Sequence, residues 1–187
     1  MKTIALILLS LVSLSLSYNR DAAVAYAYKY VNRPNHQCGN PWKCKPWGYY
    51  GREACGYKGE GGDCANFVSQ CILAGGHSPL NDKVGGVCRG YPCGKEEIGA
   101  AKLGDCLKKV KGHRSECGRN LKPPSWVKKG DVLIYRAGSC SGGNAHAVLV
   151  TKVSGGKAYI TCHSSIQKDK IYTYMSGKPY YQWISMG

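Results

Sequence analysis

Acidic residues are scarce in this 187-residue chain: 11 Asp and Glu stand against 26 Lys and Arg, a formal net charge of +15. That shortage produces a broad positive field, which attracts polyanions such as anionic cell-wall polymers, anionic lipid or nucleic acid. A second long apolar run is also missing. The single run, Ile4 to Leu16, falls short of the roughly 20 apolar residues a bilayer-spanning helix needs, so no membrane span is expected. No two cysteines have the C-x-x-C spacing, which removes the usual pattern of a zinc site; neither metal nor cofactor is implied. There is no internal repeat or low-complexity tract. No nucleic-acid module accompanies the charge and the aromatics are scattered, so specific nucleic-acid binding is the weakest use of the positive surface.

What is present begins with an address. Lys2, the apolar run, and small residues at Ser15 and Ser17 make a cleavable secretory signal over residues 1–17. The mature chain, 18–187, has the length of one domain with its own core, and is expected to be extracellular and monomeric. Losing the signal removes one charged residue, Lys2, so the mature protein stays strongly basic.

An oxidising compartment gives eleven cysteines a meaning, because an odd number cannot pair completely within one molecule. Ten of them, Cys38, Cys44, Cys55, Cys71, Cys88, Cys93, Cys106, Cys117, Cys140 and Cys162, would allow five bridges. The short separations of Cys88 with Cys93 and of Cys106 with Cys117 suit local pairs. Cys64 is the candidate to stay reduced, since it sits where the glycine-rich run Gly61-Gly62-Asp63 meets an apolar segment. Cys71, two helical turns deeper on the same face, competes as a buried and inert thiol, and parity alone does not decide between them.

Asn19 is a candidate helix cap, followed by Asp21 and an alanine- and tyrosine-rich run to Val31 that reads as a helix ended by Pro34. Residues 36–60 are aperiodic and read as a disulfide-tied loop. From Asp63 to Leu73 the apolar positions follow helical spacing, and Gly75-Gly76 stops the run. Residues 77–120 are again irregular, with a short helix around 95–110. After Pro123-Pro124 the texture becomes strand-like at 131–135, 145–153, 158–162, 171–174 and 180–184, with a hairpin turn at Ser154-Gly155-Gly156. Helices followed by antiparallel strands predict an α+β fold, with a helix packed on the sheet and disulfide-rich loop insertions.

A thiol attacks an amide as thiolate, and the first turn of a helix favours that anion through its unpaired N–H groups and dipole. Cys64 has this placement. Its own N–H, with Ala65 or the Tyr57 hydroxyl, can donate to an oxyanion, so Tyr57, Asp63 and Ala65 are the candidate oxyanion or substrate contacts. Of five histidines, His36, His77, His113, His146 and His163, only His146 and His163 lie in strand-like segments. A two-residue turn at Gly155-Gly156 puts these two on one sheet face as diagonal neighbours; a one-residue shift would put them on opposite faces. Read without the shift, His146 is the base and His163 orients its ring.

Residues 61–76, GGDCANFVSQCILAGG, resemble the signature of the bacterial "putative amidase domain" proteins, a branch of the NlpC-type cell-wall cysteine peptidases with a papain-like core. The likeness extends to Tyr18–Tyr30, Lys129–Val132, Ala145–Thr151 and Tyr159–Ser164, and it leaves out the cysteine-rich stretches at 36–58 and 77–120. The resemblance implies Cys64 as nucleophile, His146 as base and His163 as third member. The expected activity is that of a secreted cysteine amidase or endopeptidase on bacterial peptidoglycan peptides, with the basic surface holding the anionic wall. Acyl transfer, in which an amine replaces water, is a chemical variant. The alternative from another class is a non-catalytic, cationic, cysteine-rich antimicrobial or wall-binding protein.

Overall fold

A computed structural model describes residues 17–32, 64–77, 99–163, 166–173, 175 and 177–187. The first helix, α1, is Arg20–Tyr30, capped as expected by the Asn19 side chain, which accepts from the Ala22 N–H at 2.9 Å. Ala23, Ala27 and Val31, spaced by four, are all fully buried and make the inward stripe of a short amphipathic helix. Pro34, expected to end it, lies outside the described residues.

The second helix, α2, is Cys64–Ala74. Its stop is a Schellman closure: Gly76, at φ +79°, donates to the Leu73 carbonyl, and His77 donates to that of Ile72. Gly75 is needed for a different reason. A Cβ there would lie 2.3 Å from the Tyr18 ring, and the Gly75 carbonyl accepts from the Asn19 N–H. The end of α2 is thereby fastened to the start of α1, so the two helices run antiparallel.

The third helix, α3, is Ala100–Leu107, inside the span expected to hold a short helix. Gly104 lets it settle onto Arg136, a fully buried arginine that donates to Gln182 Oε1, the Ala101 carbonyl and Asp105. These bonds answer the guanidinium's donors, which is the condition for burying such a charge.

Six antiparallel strands follow: β1 Ser115–Arg119, β2 Val132–Arg136, β3 Ala145–Ser154, β4 Lys157–Cys162, β5 Gln167–Ile171 and β6 Tyr180–Ile184. They form one sheet in the order β1-β6-β2-β3-β4-β5. The fold is α+β, with the helices on one face. Central strand β2 is buried along its whole length. The two edge strands are where the sequence reading departs from the fold: β1, in a region read as irregular, was not expected, and the strand expected at 171–174 lies at 167–171. Both edges, SECGR and QKDKI, are polar and partly exposed, so neither carries the alternation that marks a half-buried strand.

The two faces are chemically distinct. On the helix face, Val132, Ile134, Ala147, Leu149 and Ile184 pack against Val24, Phe67, Val68, Ile72 and Leu103. On the other, Leu133, Tyr135, Val148, Val150, Tyr181 and Trp183 pack with Val127, Trp126 and Tyr172.

The cysteine pairing differs from expectation. Cys117 bridges Cys140, tying edge strand β1 to the segment after β2, and Cys106 is disulfide-bonded elsewhere, so the local Cys106–Cys117 pair is not formed. Cys64, Cys71 and Cys162 are thiols. Cys162 was expected to bridge; it lies instead inside the sheet core, 1% exposed. Three thiols among the described residues, rather than one, deprive the odd count of any power to single out Cys64. The Cys88–Cys93 pair lies outside the described residues.

Candidate active site

Cys64 is the first residue of α2, 6% exposed. The N–H groups of a helix's first turn have no intrahelical acceptor, and with the dipole they stabilise an anion there. Ala65 follows it, buried, and its carbonyl accepts from Ser69 Oγ at 2.8 Å. Tyr57 and Asp63 lie outside the described residues. Cys71 is wholly buried on the same helix, and desolvation pushes its thiol well above the ordinary value, which makes it inert.

His163 directly follows β4 and is 1% exposed. Its ring stacks on Phe67, three residues after Cys64 on α2, with centroids 4.1 Å apart and planes at 25°. Its Nε2 lies 2.8 Å from the carbonyl oxygen of Tyr30, the last residue of α1. A carbonyl only accepts, so Nε2 carries a proton and donates it to this bond. The end of α1, the start of α2 and the end of β4 thus converge, bringing Cys64 and His163 to the same end of the helical layer.

His146 is elsewhere. Its neighbours Ala145 and Ala147 face the helices, whereas its own ring stands beside Tyr135 at 6.3 Å and 24°, on the opposite face. The side chain is 8% exposed and its Nε2 has no hydrogen-bond partner among the described residues. Burial, with Lys178 adding to it, lowers its pKa to about 4, so the ring is neutral at neutral pH. The expectation that His146 and His163 share a face is therefore corrected, and the cause is a β-bulge. From the Gly155-Gly156 turn the pairs Ser154↔Lys157, Val153↔Ala158 and Lys152↔Tyr159 run in register, but the next are Val150↔Ile160 and Leu149↔Thr161. One extra residue, Thr151, slips the ladder by one and turns His163 to the helix face.

Two features of this centre are invisible in residue types alone, the Phe67 stack and the Tyr30 carbonyl. The signal that could have found the second is the end of α1 itself, since a helix's last carbonyls need outside donors. Among the described residues, no group of three or more His, Cys, Asp or Glu is arranged to hold a metal ion, and no helix is long and apolar enough to cross a membrane.

A helix opening on a thiol, laid on an antiparallel sheet whose fourth strand is followed by an imidazole stacked on that helix, defines an α+β protein with one candidate site at a helix N-terminus. The chain belongs to the family described as the putative amidase domain, whose model matches residues 17–186. That description makes amide bonds the target of its chemistry. No curated protein and no solved structure matches the chain.

Proposed function

We propose that the protein is a secreted cysteine amidase or endopeptidase, of the NlpC-like kind, that cleaves amide bonds in bacterial peptidoglycan peptides. The observation that carries this reading is the reduced Cys64 at the first position of α2, with His163 held beside the same helix by Phe67 and Tyr30. The Cys64 sulfur attacks the amide carbonyl and the imidazole carries the thiol proton to the leaving amine. Water then hydrolyses the thioester, regenerating the thiol. The first-turn N–H groups, Ala65's among them, suit the tetrahedral oxyanion. Family membership supports the bond type, the basic surface supports an anionic wall as target, and the disulfides together with residues 1–17 support secretion.

Our reading divides the roles of the histidines differently from the family resemblance. His163, with Nε2–H oriented by a carbonyl, is the better base for Cys64; the resemblance gives that part to His146, and the observation in its favour is an Nε2 without a hydrogen-bond partner among the described residues. The test is to incubate the mature protein and its Cys64→Ala, His163→Ala and His146→Ala variants with intact peptidoglycan and to identify released fragments by mass spectrometry. Cys64→Ala releases none, and His163→Ala slows release by roughly a hundredfold or more, the usual worth of a general base. Unchanged release by Cys64→Ala would remove the catalytic reading. A larger loss in folded His146→Ala than in His163→Ala would return the base to His146.

A further inference from the structure

At the other end of α1 from Tyr30 lies an open groove lined by Arg20, Val127, Lys128, Lys129, Thr151, Lys152 and Val153, about 390 Å³ in volume. Four of its lining side chains are cationic, and two acids answer part of that charge. Asp131, fully buried, pairs with Arg20, and Asp21 pairs with Lys129. Lys128 and Lys152 have no carboxylate partner among the described residues; Lys152 lies over the Tyr159 ring, 5.2 Å from its centroid. Both are exposed.

The walls of the groove are rigid. Arg20 also donates to the carbonyls of Lys129 and Gly187. The Asp131 carboxylate accepts from the Lys128 and Met186 N–H groups, and Gly130 donates to the Val150 carbonyl while its Cα passes close to Arg20, where a Cβ would come within 3.0 Å. Charge fixed in advance costs less to engage than charge on mobile chain. Because α1 is eleven residues long, the lining residue Arg20 stands about 16 Å along the helix from the Tyr30 end, where His163 is held. Neither Cys64 nor His163 lines the groove.

We infer that this groove binds a phosphodiester polyanion without bases, of the polyol phosphate kind, and holds the protein on it at a distance from Cys64. Two exposed cations without acid partners among the described residues, both lining one open channel, suit repeating phosphates along a chain. None of the lining residues is aromatic, whereas single-stranded nucleic acid is gripped by stacking its bases on aromatic rings; this favours a polymer that has no bases. The inference extends the wall-acting reading above by naming a partner for a remote surface, and a binding measurement without turnover separates the two.

The experiment uses the Cys64→Ala protein and measures its affinity for poly(glycerol phosphate) across a salt series, with and without Lys128→Gln/Lys152→Gln. The double change lowers affinity roughly tenfold at low salt and reduces the slope of log K against log salt by about 1 to 2. Lys109→Gln/Lys111→Gln, an equal loss of charge on the exposed segment after α3, leaves both nearly unchanged. Equal losses from the two pairs would reduce the groove to diffuse charge and overturn the assignment, as would no loss from Lys128→Gln/Lys152→Gln. Tighter binding to an oligothymidylate or to phosphatidylglycerol vesicles than to poly(glycerol phosphate) would overturn the ligand class. In the Cys64-intact protein, Lys128→Gln/Lys152→Gln slows attack on intact wall and spares a short soluble peptide substrate, so loss of the groove and loss of the cysteine chemistry read differently.

Discussion

The two faces of the sheet bury different things. Against the helices lie aliphatic side chains with Cys64 and His163 among them; on the far face lie Tyr135, Tyr181, Trp183 and Tyr172 in edge-to-face contacts, with Cys162 and His146. Each face therefore holds a thiol and an imidazole, yet only one pair sits at a helix terminus. Residue type alone does not distinguish them. What separates them is the electrostatics of position: Cys64 opens a helix, whose first-turn N–H groups have no intrahelical acceptor, while Cys162 sits within the aromatic layer, where Tyr135 is pushed above its ordinary range by burial first and by its neighbours after that.

The largest expected effect follows from that contrast. Under native conditions at neutral pH, Cys64 reacts with iodoacetamide while Cys71 and Cys162 react only after unfolding, a rate difference of at least about a hundredfold because only thiolate that can be reached is alkylated. Peptide mapping by mass spectrometry reads the site of modification. Native labelling of Cys162 ahead of Cys64 would break the comparison, since the far face would then hold the reactive sulfur.

Much of the helix face was legible beforehand, and the reasons are local. Asn19 announced α1 because a short amide side chain satisfies an orphan N–H, and Gly75-Gly76 announced the end of α2 because a left-handed residue closes it. Central strands β2, β3, β4 and β6 were legible as apolar runs. Edge strands β1 and β5 were not, because pairing on one side only asks little of their side chains. The bulge at Thr151 was not either: a single inserted residue leaves no mark in an apolar alternation, yet it decides which face each histidine takes. That is why Cys64, set by a local motif, could be placed from sequence, and the imidazole on its face of the sheet, set by register, could not.

Next in size is a steric test of how tightly the helix face is closed. A Cβ on Gly104 would meet Arg136 Nη2 and Gln182 Oε1 at 2.8 Å and Ile134 Cγ1 at 2.9 Å, all on buried side chains. Gly104→Ala gains helix propensity but strains this contact, and the net cost is about 2 kcal/mol in urea unfolding. A neutral or stabilising result would mean that α3 can lift from the sheet.

The far face makes itself known through pH. Burial lowers the His146 pKa from 6.5 to about 4, so the folded protein resists a proton that the unfolded chain accepts. The stability this protects is fully present above pH 6.5 and is lost as pH falls from there towards 4, by up to roughly 3 kcal/mol for a shift of this size. His113, also lowered to about 4, by burial and then by His77, adds to the same slope. His146→Phe flattens the curve of stability against pH in that window, measured by urea unfolding at several pH values. An unchanged slope would show that His146 is not the neutral, buried group described above.

The smallest effect tests what holds the two faces apart. Thr151 Oγ1 donates to Asp169 at 2.6 Å and shares a 3.2 Å contact with Thr161 Oγ1, and the Tyr28 hydroxyl of α1 donates to the same Asp169 carboxylate at 2.9 Å. This cluster braces the extra residue of the bulge from the helix side. Thr151→Val keeps the shape and removes the donor, at a cost of about 1 kcal/mol, the usual net worth of such a bond to stability, or somewhat more because the acceptor is a carboxylate. If the ladder keeps its register, the His163 ring protons retain the upfield shift that stacking on Phe67 imposes, and peptidoglycan cleavage is unaffected. Loss of that shift together with loss of activity would mean that the hydroxyl itself, rather than the apolar packing of β3 and β4, keeps His163 on the side of Cys64.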